Sequence, residues 1–329
     1  MSATMTDPAP LMINGTAIDA TFAEAFPMKA TRLIITARTA AWAREAAVSL
    51  TGFATSVIGC GCEAGIERML EAGDTPDGRP GVSVLLFAVS SKELAKQIGR
   101  RVGQCVLTCP TTAVYGGIDP ATSAAPLSDA APLGSGLRFF GDGWQIAKMI
   151  DAGAGKGPTR YWRVPVMDGE FVCEDTAQTV KAVGGGNLLF LARDLDAALV
   201  ASEAAVAAMR RLPNVAMPFP GGVVRSGSKV GSKYTGATAS TNDAFCPTLL
   251  GLSPRSELTS EVGAVLEIVI DGLTEGDVAA AMKAGIDAAT RLGRAAGVLR
   301  ISAGNYGGKL GPYHFHLHAL AAELDGARP

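Results

Sequence analysis

The strongest constraint on the fold is that the chain predicts the same order of strands and helices twice. In the first half, helices alternate with four apolar segments that predict strands, at residues 32–36, 55–58, 82–89 and 105–108. The second half repeats this order, with strand segments at residues 187–192, 215–224, 265–270 and 298–302. Each half is a β-α-β unit, an insertion and a second β-α-β unit, the split pattern of a ferredoxin-like sandwich. The sequence therefore predicts an α+β fold with two tandem ferredoxin-like lobes that arose by internal duplication.

The predicted boundary between the lobes lies near residue 156, in the glycine-rich stretch at residues 153–158. Residues 1–156 then form the N-terminal lobe, and residues 157–329 form the C-terminal lobe. The dipeptide Asp168-Gly169 lies between two extended runs and predicts a β-hairpin after the boundary. Helices cover one face of such a sheet, so we expect its other face to meet solvent, the sister lobe or another subunit.

Composition and charge argue against several classes of protein. Hydrophobic residues make up 48% of the 329 residues and charged residues 18%, so the chain can bury a large core and is not disordered. The net charge is −2 and no run of Lys and Arg stands out, which argues against a nucleic-acid partner. No apolar stretch spans a bilayer and the first residues lack a signal-peptide pattern, so we expect no membrane partner. The six cysteines contain no C-x-x-C pair, which favours reduced thiols in a cytoplasmic protein.

A carboxylate, Glu267, lies in the middle of the apolar strand segment at residues 265–270. Burying an unpaired carboxylate is costly or forces the pKa of such a group upward, which suits general acid–base catalysis. Side chains alternate along a strand, so Glu267 shares one face with Val265 and Val269, and a wet face would make it a surface residue. When the third strands of the two halves are aligned, Val84 stands opposite Glu267. The fold then needs no carboxylate at this place, which favours a functional role.

The insertion at residues 219–248 precedes the strand that carries Glu267. It holds five glycines, eight Ser or Thr residues and three basic residues against a single acid. Glycine lets backbone N–H groups approach an anion and basic side chains supply charge, so the insertion is either a site for a carboxylate- or phosphate-bearing ligand or a solvated loop. Its candidate substrate-binding residues are Arg225, Ser226, Ser228, Lys229, Lys233, Asn242 and Asp243.

The three histidines of the chain, His314, His316 and His318, alternate along one segment. A strand would place all three imidazoles on one face, where they could bind zinc. Adjacent residues on one strand rarely converge on one ion, and no cluster of Asp, Glu or Cys joins them, so we expect no metal site. A Ser-His-Asp triad would have to draw on this segment, and no Gly-x-Ser-x-Gly elbow is present.

Seven short motifs occur in an order typical of one enzyme family. They are Thr21-Phe22-Ala23-Glu24-Ala25-Phe26, Thr75-Pro76-Asp77-Gly78-Arg79-Pro80-Gly81, Phe139-Phe140-Gly141-Asp142-Gly143, Phe219-Pro220-Gly221-Gly222, Ser228-Lys229-Val230-Gly231-Ser232-Lys233, Ser240-Thr241-Asn242-Asp243-Ala244 and Ile301-Ser302-Ala303-Gly304-Asn305. Together they closely resemble the formylmethanofuran:tetrahydromethanopterin formyltransferase family. The resemblance covers residues 11–318.

The resemblance implies two ferredoxin-like lobes per subunit, a homotetramer with substrate clefts at subunit contacts, and no prosthetic group or catalytic metal. The family's proposed acid–base glutamate lies in a Glu-Ile-Val-Ile strand, which here begins at Glu267. The chain lacks the strongly acidic balance of the archaeal enzymes and continues after His318. Both features suit the methylotrophic bacterial branch, in which the enzyme is one component of a formyltransferase/hydrolase complex whose other subunits hydrolyse the formyl carrier.

The resemblance predicts transfer of a formyl group between N5 of tetrahydromethanopterin and the primary amine of methanofuran, the two carriers being substrates in one-carbon metabolism (formaldehyde oxidation). Glu267 would take the proton from the attacking amine and return it to the leaving nitrogen. Asn242, Asn305 and backbone amides of the insertion would stabilise the oxyanion, and Lys229 and Lys233 would hold ligand carboxylates. Two alternatives stay open: a hydrolase that releases formate from the same cleft, and a non-enzymatic ligand-binding or scaffolding subunit.

Overall fold

The computed structural model describes residues 11–150, 158–225, 227, 229–322 and 324. In chain order, its strands are β1 (Leu11–Ile13), β2 (Thr16–Ile18), β3 (Phe22–Thr36), β4 (Glu63–Leu70), β5 (Gly81–Ala88), β6 (Ala113–Gly116), β7 (Leu127–Pro132), β8 (Ile146–Ile150), β9 (Thr159–Val166), β10 (Gly169–Glu174), β11 (Thr176–Ala192), β12 (Val215–Ala216), β13 (Lys229–Val230), β14 (Ala239–Ser240), β15 (Ala264–Gly272), β16 (Val298–Ser302) and β17 (Tyr313–His316). Its α-helices are α1 (Ala40–Thr51), α2 (Val57–Cys60), α3 (Ser91–Arg101), α4 (Gly134–Leu137), α5 (Leu195–Met209), α6 (Glu275–Leu292) and α7 (Leu317–Ala321). This mixture of helices and sheet confirms the predicted α+β class.

The chain forms two compact units. The middle unit comprises residues 28–182, and the terminal unit combines the segment that ends at residue 27 with the segment that begins at residue 183. The predicted boundary near residue 156 lies among residues 151–157, outside the described residues, and stays a prediction. The chain leaves one unit and enters the other inside the long strands β3 and β11. A change of unit within a continuous strand leaves no break in composition, so the sequence did not predict it.

In the middle unit, the four strands of the repeat lie in the order β4-β5-β3-β6, and α1 and α3 pack on one face of the sheet. Ser90 caps α3 by accepting a hydrogen bond from the N–H of Glu93. The strands β10, β9 and β8 extend this sheet, and the predicted hairpin at Asp168-Gly169 joins β9 to β10. The core between helices and sheet includes the side chains of Leu33 and Val84.

In the terminal unit, the equivalent strands lie in the order β12-β15-β11-β16, followed by β2 and β1. Thr274 and Asp277 form a reciprocal capping box that begins α6. The apolar stripe of α6 packs with α5 against one sheet face, where Ile268 and Ile270 are fully buried. The opposite face of β15 is therefore the one that carries Glu267.

Three predicted strand segments differ from the structure. Residues 57–60 form α2, whose first turn is capped by the hydroxyl of Ser56, and the strand follows later as β4. The predicted strand at residues 105–108 is instead a continuation of helical structure after α3, and β6 begins at Ala113. The segment at residues 215–224 contains the short strand β12, a 3₁₀ turn at Pro220–Gly222 and an isolated bridge at Val224, and not one continuous strand. Apolar runs of about four residues satisfy a helical turn as well as a strand, so periodicity cannot separate them.

The spacing from the third strand of each repeat to the next helix corrects the alignment of the two repeats. Glu267 and Ser83 each lie seven residues before the N-cap of the next helix, Thr274 and Ser90 respectively. Ser83, not Val84, is therefore the counterpart of Glu267. A shift of one residue moves a side chain to the other face of a strand, which is why Val84 lies in the helix-facing core. The other repeat still has no carboxylate at this position.

Candidate active site

Glu267 is buried, with 3% of its surface exposed, so the face of β15 that carries it is not a wet one. It pairs with Leu189 on β11, and Leu189 pairs in turn with Ser302 on β16, so the three side chains form one row across the sheet. The other edge of this row is closed by Val224, whose backbone exchanges two hydrogen bonds with that of Glu267, at 2.7 and 2.9 Å. The carboxylate therefore lies under the start of the basic insertion rather than on the protein surface.

A small cavity of about 20 Å³ lies beside Glu267. Arg225 and Asn242 from the insertion line it together with Leu189 and Phe245. A space of this size holds one water-sized group, which is the scale of a one-carbon unit. Of the residues predicted from sequence, Glu267, Arg225 and Asn242 are brought together here.

Asp243 lies at the centre of an ion-pair cluster that links the insertion to the segment directly after it. Its Oδ1 accepts hydrogen bonds from Lys229 Nζ at 2.8 Å and Arg255 Nη2 at 2.6 Å, and its Oδ2 accepts one from Ser253 at 2.7 Å. The hydrogen bond from Lys229, followed by those from Ser253 and Arg255, holds the pKa of Asp243 well below its usual range. This arrangement folds the insertion back on itself and engages Lys229 with an internal carboxylate.

The remaining predicted binding residues lie apart from the cavity or outside the described residues. Lys233 is exposed, and its Nζ lies 5.9 Å from the ring centre of Tyr234. Asn305 is also exposed, and its amide donates to the hydroxyl of Thr21 at 3.1 Å and the carbonyl of Phe22 at 3.2 Å. Two further candidates lie outside the described residues: Ser226 and Ser228.

We expect Asp243→Asn to loosen the insertion. The neutral amide loses the charge that attracts Lys229 and Arg255, so trypsin at pH 8 should cleave after Lys229 several-fold faster than in the wild type. Because the pKa of Asp243 is lowered on folding, its contribution to the stability of the folded state is complete above pH ~4, the usual aspartate pKa. This stability is lost as the pH falls through the lowered pKa. Asp142→Asn, at an exposed position of the middle unit, is the control. Equal cleavage rates in wild type and D243N would contradict this role.

The sequence patterns did not predict a role in the reaction for two residues, Glu24 and Tyr306. Glu24, on β3, is 1% exposed, and its carboxylate accepts hydrogen bonds from four backbone N–H groups in the loop at residues 303–312. Tyr306 in that loop is half-buried, and burial together with the carboxylates of Glu267 and Glu24 raises the pKa of its phenol. The motif around Glu24 was recognisable, but its contact with a loop far along the chain requires the fold.

Two family models cover nearly all of the described chain. The model described as formylmethanofuran-tetrahydromethanopterin formyltransferase matches residues 11–166, and the model of its proximal lobe matches residues 169–320. The chain belongs to this formyltransferase family. It is accordingly an enzyme of the acyltransferase class, as predicted.

Relatives of this formyltransferase are similar along their whole length. The formylmethanofuran--tetrahydromethanopterin formyltransferase of Methylococcus capsulatus is 62% identical over 95% of this chain and 100% of the relative. One component of the formyltransferase/hydrolase complex of Methylorubrum extorquens is 52% identical over 94% of this chain and 96% of that component. A chain of the crystal structure of the M. extorquens complex with methylofuran superposes with a TM-score of 0.89 at 51% identity, covering 94% of this chain and 98% of that chain.

The histidine segment of the formyltransferase is divided between a strand and a helix. His314 and His316 lie on β17 with their rings 4.8 and 5.2 Å from that of Phe22, whereas His318 lies in α7 and contacts the carbonyl of Ile18 at 2.9 Å. The described part of the chain contains no group of three or more His, Cys, Asp or Glu residues suited to a metal ion. Within the same part, no helix has the length and apolar character to cross a bilayer.

Proposed function

We propose that this formyltransferase moves a formyl group between the primary amine of methanofuran and N5 of tetrahydromethanopterin, in the one-carbon reactions of formaldehyde oxidation. The names of the matching family and of relatives up to 62% identical support this pair of substrates. The observation that carries the chemistry is the burial of Glu267 at the wall of a small cavity, directly under a basic, glycine-rich insertion. A positioned carboxylate in a largely dehydrated site suits proton transfer between two nitrogens.

The reaction moves one proton from the attacking nitrogen to the leaving nitrogen, and it needs no covalent enzyme intermediate. The attacking nitrogen forms a bond to the formyl carbon, and the carbonyl oxygen becomes the oxyanion of a tetrahedral intermediate. Glu267 takes the proton from the attacking nitrogen and delivers it to the leaving nitrogen as the old C–N bond breaks. Formyl group and proton thus exchange places, and no electrons are gained or lost.

The cavity wall supplies donors for the oxyanion. Asn242 and Arg225 line the same cavity as Glu267, so we assign the donors for an oxyanion bound there to the amide of Asn242 and the guanidinium of Arg225. We assign ligand carboxylates to Lys233, an exposed cation of the insertion. The other proposed substrate-binding residues are Ser226, Ser228, Lys229, Asp243 and Asn305.

An exchange assay tests the proposed reaction against its alternatives. We expect the purified chain, given formyl-tetrahydromethanopterin and methanofuran, to form formylmethanofuran and free tetrahydromethanopterin in equal amounts. Chromatography of the carriers and an enzymatic formate assay measure both products. Formate release without the second carrier would instead indicate a hydrolase, and carrier binding without exchange would indicate a binding or scaffolding subunit.

We propose that the enzyme is a cytoplasmic homotetramer of ferredoxin-like lobes, and that it also associates with subunits of a hydrolase complex. The β4-β5-β3-β6 and β12-β15-β11-β16 orders support the ferredoxin-like description. Phe139, Phe140 and Trp144 in the middle unit are 67%, 66% and 79% exposed, which supports a subunit contact in that region. The similarity to one component of the M. extorquens complex supports the partner subunits. Native mass spectrometry tests the oligomeric state.

A further inference from the structure

Glu24 is a buried carboxylate enclosed by backbone donors. Its Oε2 accepts from the N–H groups of Tyr306 at 2.7 Å and Gly308 at 3.0 Å, and its Oε1 accepts from those of Gly311 at 2.9 Å and Leu310. Burial by itself would raise the pKa of this carboxyl, but the four backbone donors outweigh it and hold the pKa below its usual value. Glu24 is therefore ionised at neutral pH and acts as the centre around which the loop at residues 303–312 folds.

Besides Glu24, hydrogen bonds of the Asn187 and Asn305 side chains hold the first part of this loop. It forms no helix or strand, and Gly307 and Gly308 adopt positive φ angles of 69° and 73°. Asn187 fixes its first turn by bonding both the N–H and the carbonyl of Gly304, at 2.6 and 3.1 Å. At the other end, a Cβ on Gly311 would collide with the backbone of Ala25, so this glycine lets the loop lie directly against β3. Between these two points, the carboxylate of Glu24 is the common acceptor.

Tyr306 connects this loop to the proposed acid–base group. The loop leaves the sheet directly after Ser302, which lies in the same row of side chains as Glu267. A hydrogen bond from the backbone of Val230 brings the phenol against the basic insertion, and burial together with the charge of Glu267 raises the pKa of the phenol. The phenol is therefore a neutral donor at physiological pH, in a position set by the backbone that Glu24 holds.

We propose that Glu24 is a positioning residue for the transfer reaction: it folds the loop at residues 303–312 so that the phenol of Tyr306 stays next to the Glu267 carboxylate. The proposal rests on the acid–base role of Glu267 given above. The phenol donates to the ionised carboxylate and keeps it oriented toward the reacting nitrogens, while Glu24 itself touches neither substrate nor reacting atoms.

The variants Glu24→Gln and Tyr306→Phe test this coupling. A glutamine offers one acceptor oxygen and turns an NH₂ group toward two of the loop's N–H donors, so the loop should open. Each variant should lower kcat by about tenfold, and the double variant E24Q/Y306F should be no slower than either single variant, because both remove the same donor. The acid limb of the kcat–pH profile should move to higher pH equally in both, since the ionised carboxylate loses a donor.

Hydrogen–deuterium exchange tests the loop without relying on activity. In the wild type, the peptide covering residues 303–312 should be protected despite its exposed residues, and protection should be lost in E24Q but kept in Y306F. Glu67→Gln is the control, because Glu67 is a buried carboxylate of the middle unit. It should leave both the exchange of this peptide and the pH profile unchanged.

If the fold-reductions in kcat of the two single variants multiplied in E24Q/Y306F, the two residues would act independently and the proposal would be overturned. An unmoved pH profile in E24Q would do the same, because a mere loss of folded enzyme lowers the profile without shifting it. Rapid exchange of the loop in the wild type would overturn the proposal even if E24Q does not fold. These outcomes are distinct from failure of the acid–base role, which would appear as near-normal kcat in Glu267→Gln with the loop still protected.

Discussion

Glu267→Gln should lower kcat about a hundredfold or more while KM changes little. The amide keeps the size of the side chain and its place at the cavity wall, but it cannot accept the proton of the attacking amine. Binding of ligand carboxylates is assigned to Lys233, which is not among the residues that line the cavity beside Glu267. Steady-state kinetics of formyl exchange in both directions measure the effect, and both directions should fall equally because the same proton is carried each way.

The matched control for this variant is Asp271→Asn. Asp271 is a fully buried carboxylate on the same strand, and its Oδ1 accepts from the N–H of Gly185 at 3.1 Å. It is not among the residues that line the cavity beside Glu267. We expect D271N to lower the melting temperature while kcat stays within about threefold of wild type. If E267Q retained near-normal kcat, Glu267 would have no part in the mechanism.

Arg32→Met should destabilise the enzyme by about 3 kcal/mol. Arg32 donates to both oxygens of Glu67, at 2.7 and 2.8 Å, and Ser83 donates to the same carboxylate at 2.6 Å. The Glu67 side chain is only 1% exposed and that of Arg32 17%. The methionine fills similar volume but removes the positive charge, so a buried carboxylate loses its ionic partner. Urea denaturation of the full chain measures the change.

The double variant R32M/E67Q separates charge from packing. If the loss comes from an uncompensated charge, neutralising Glu67 should recover about half or more of the stability lost in R32M. A double variant that is as unstable as the sum of its parts would contradict the ion-pair explanation. The kcat of formyl exchange in both variants should remain within about twofold of wild type once the folded fraction is accounted for. This network includes Ser83, which is the counterpart of Glu267 in the other repeat. Equivalent positions of the two repeats therefore have different roles.

Much of the fold followed from local patterns. The strand predicted at residues 265–270 needs only a short apolar run, and it is present as β15. The alignment of the repeats was wrong by one residue, because an apolar segment does not fix its own register, whereas the observed spacing to the following helix cap does. The helix at α2 was missed because four apolar residues do not define a period.

The amino-acid sequence was sufficient to predict the duplicated α+β fold, the formyltransferase family and Glu267 as the candidate acid–base residue. Each of these predictions depends on patterns of residues that lie close together along the chain. The burial of Glu267, the pairing of Lys229 with Asp243 and the enclosure of Glu24 by a loop some 280 residues away depend on folding. Whether a carboxylate is a surface group or a positioned base is set by the desolvation and donors around it, and these come from segments that only the folded chain brings together.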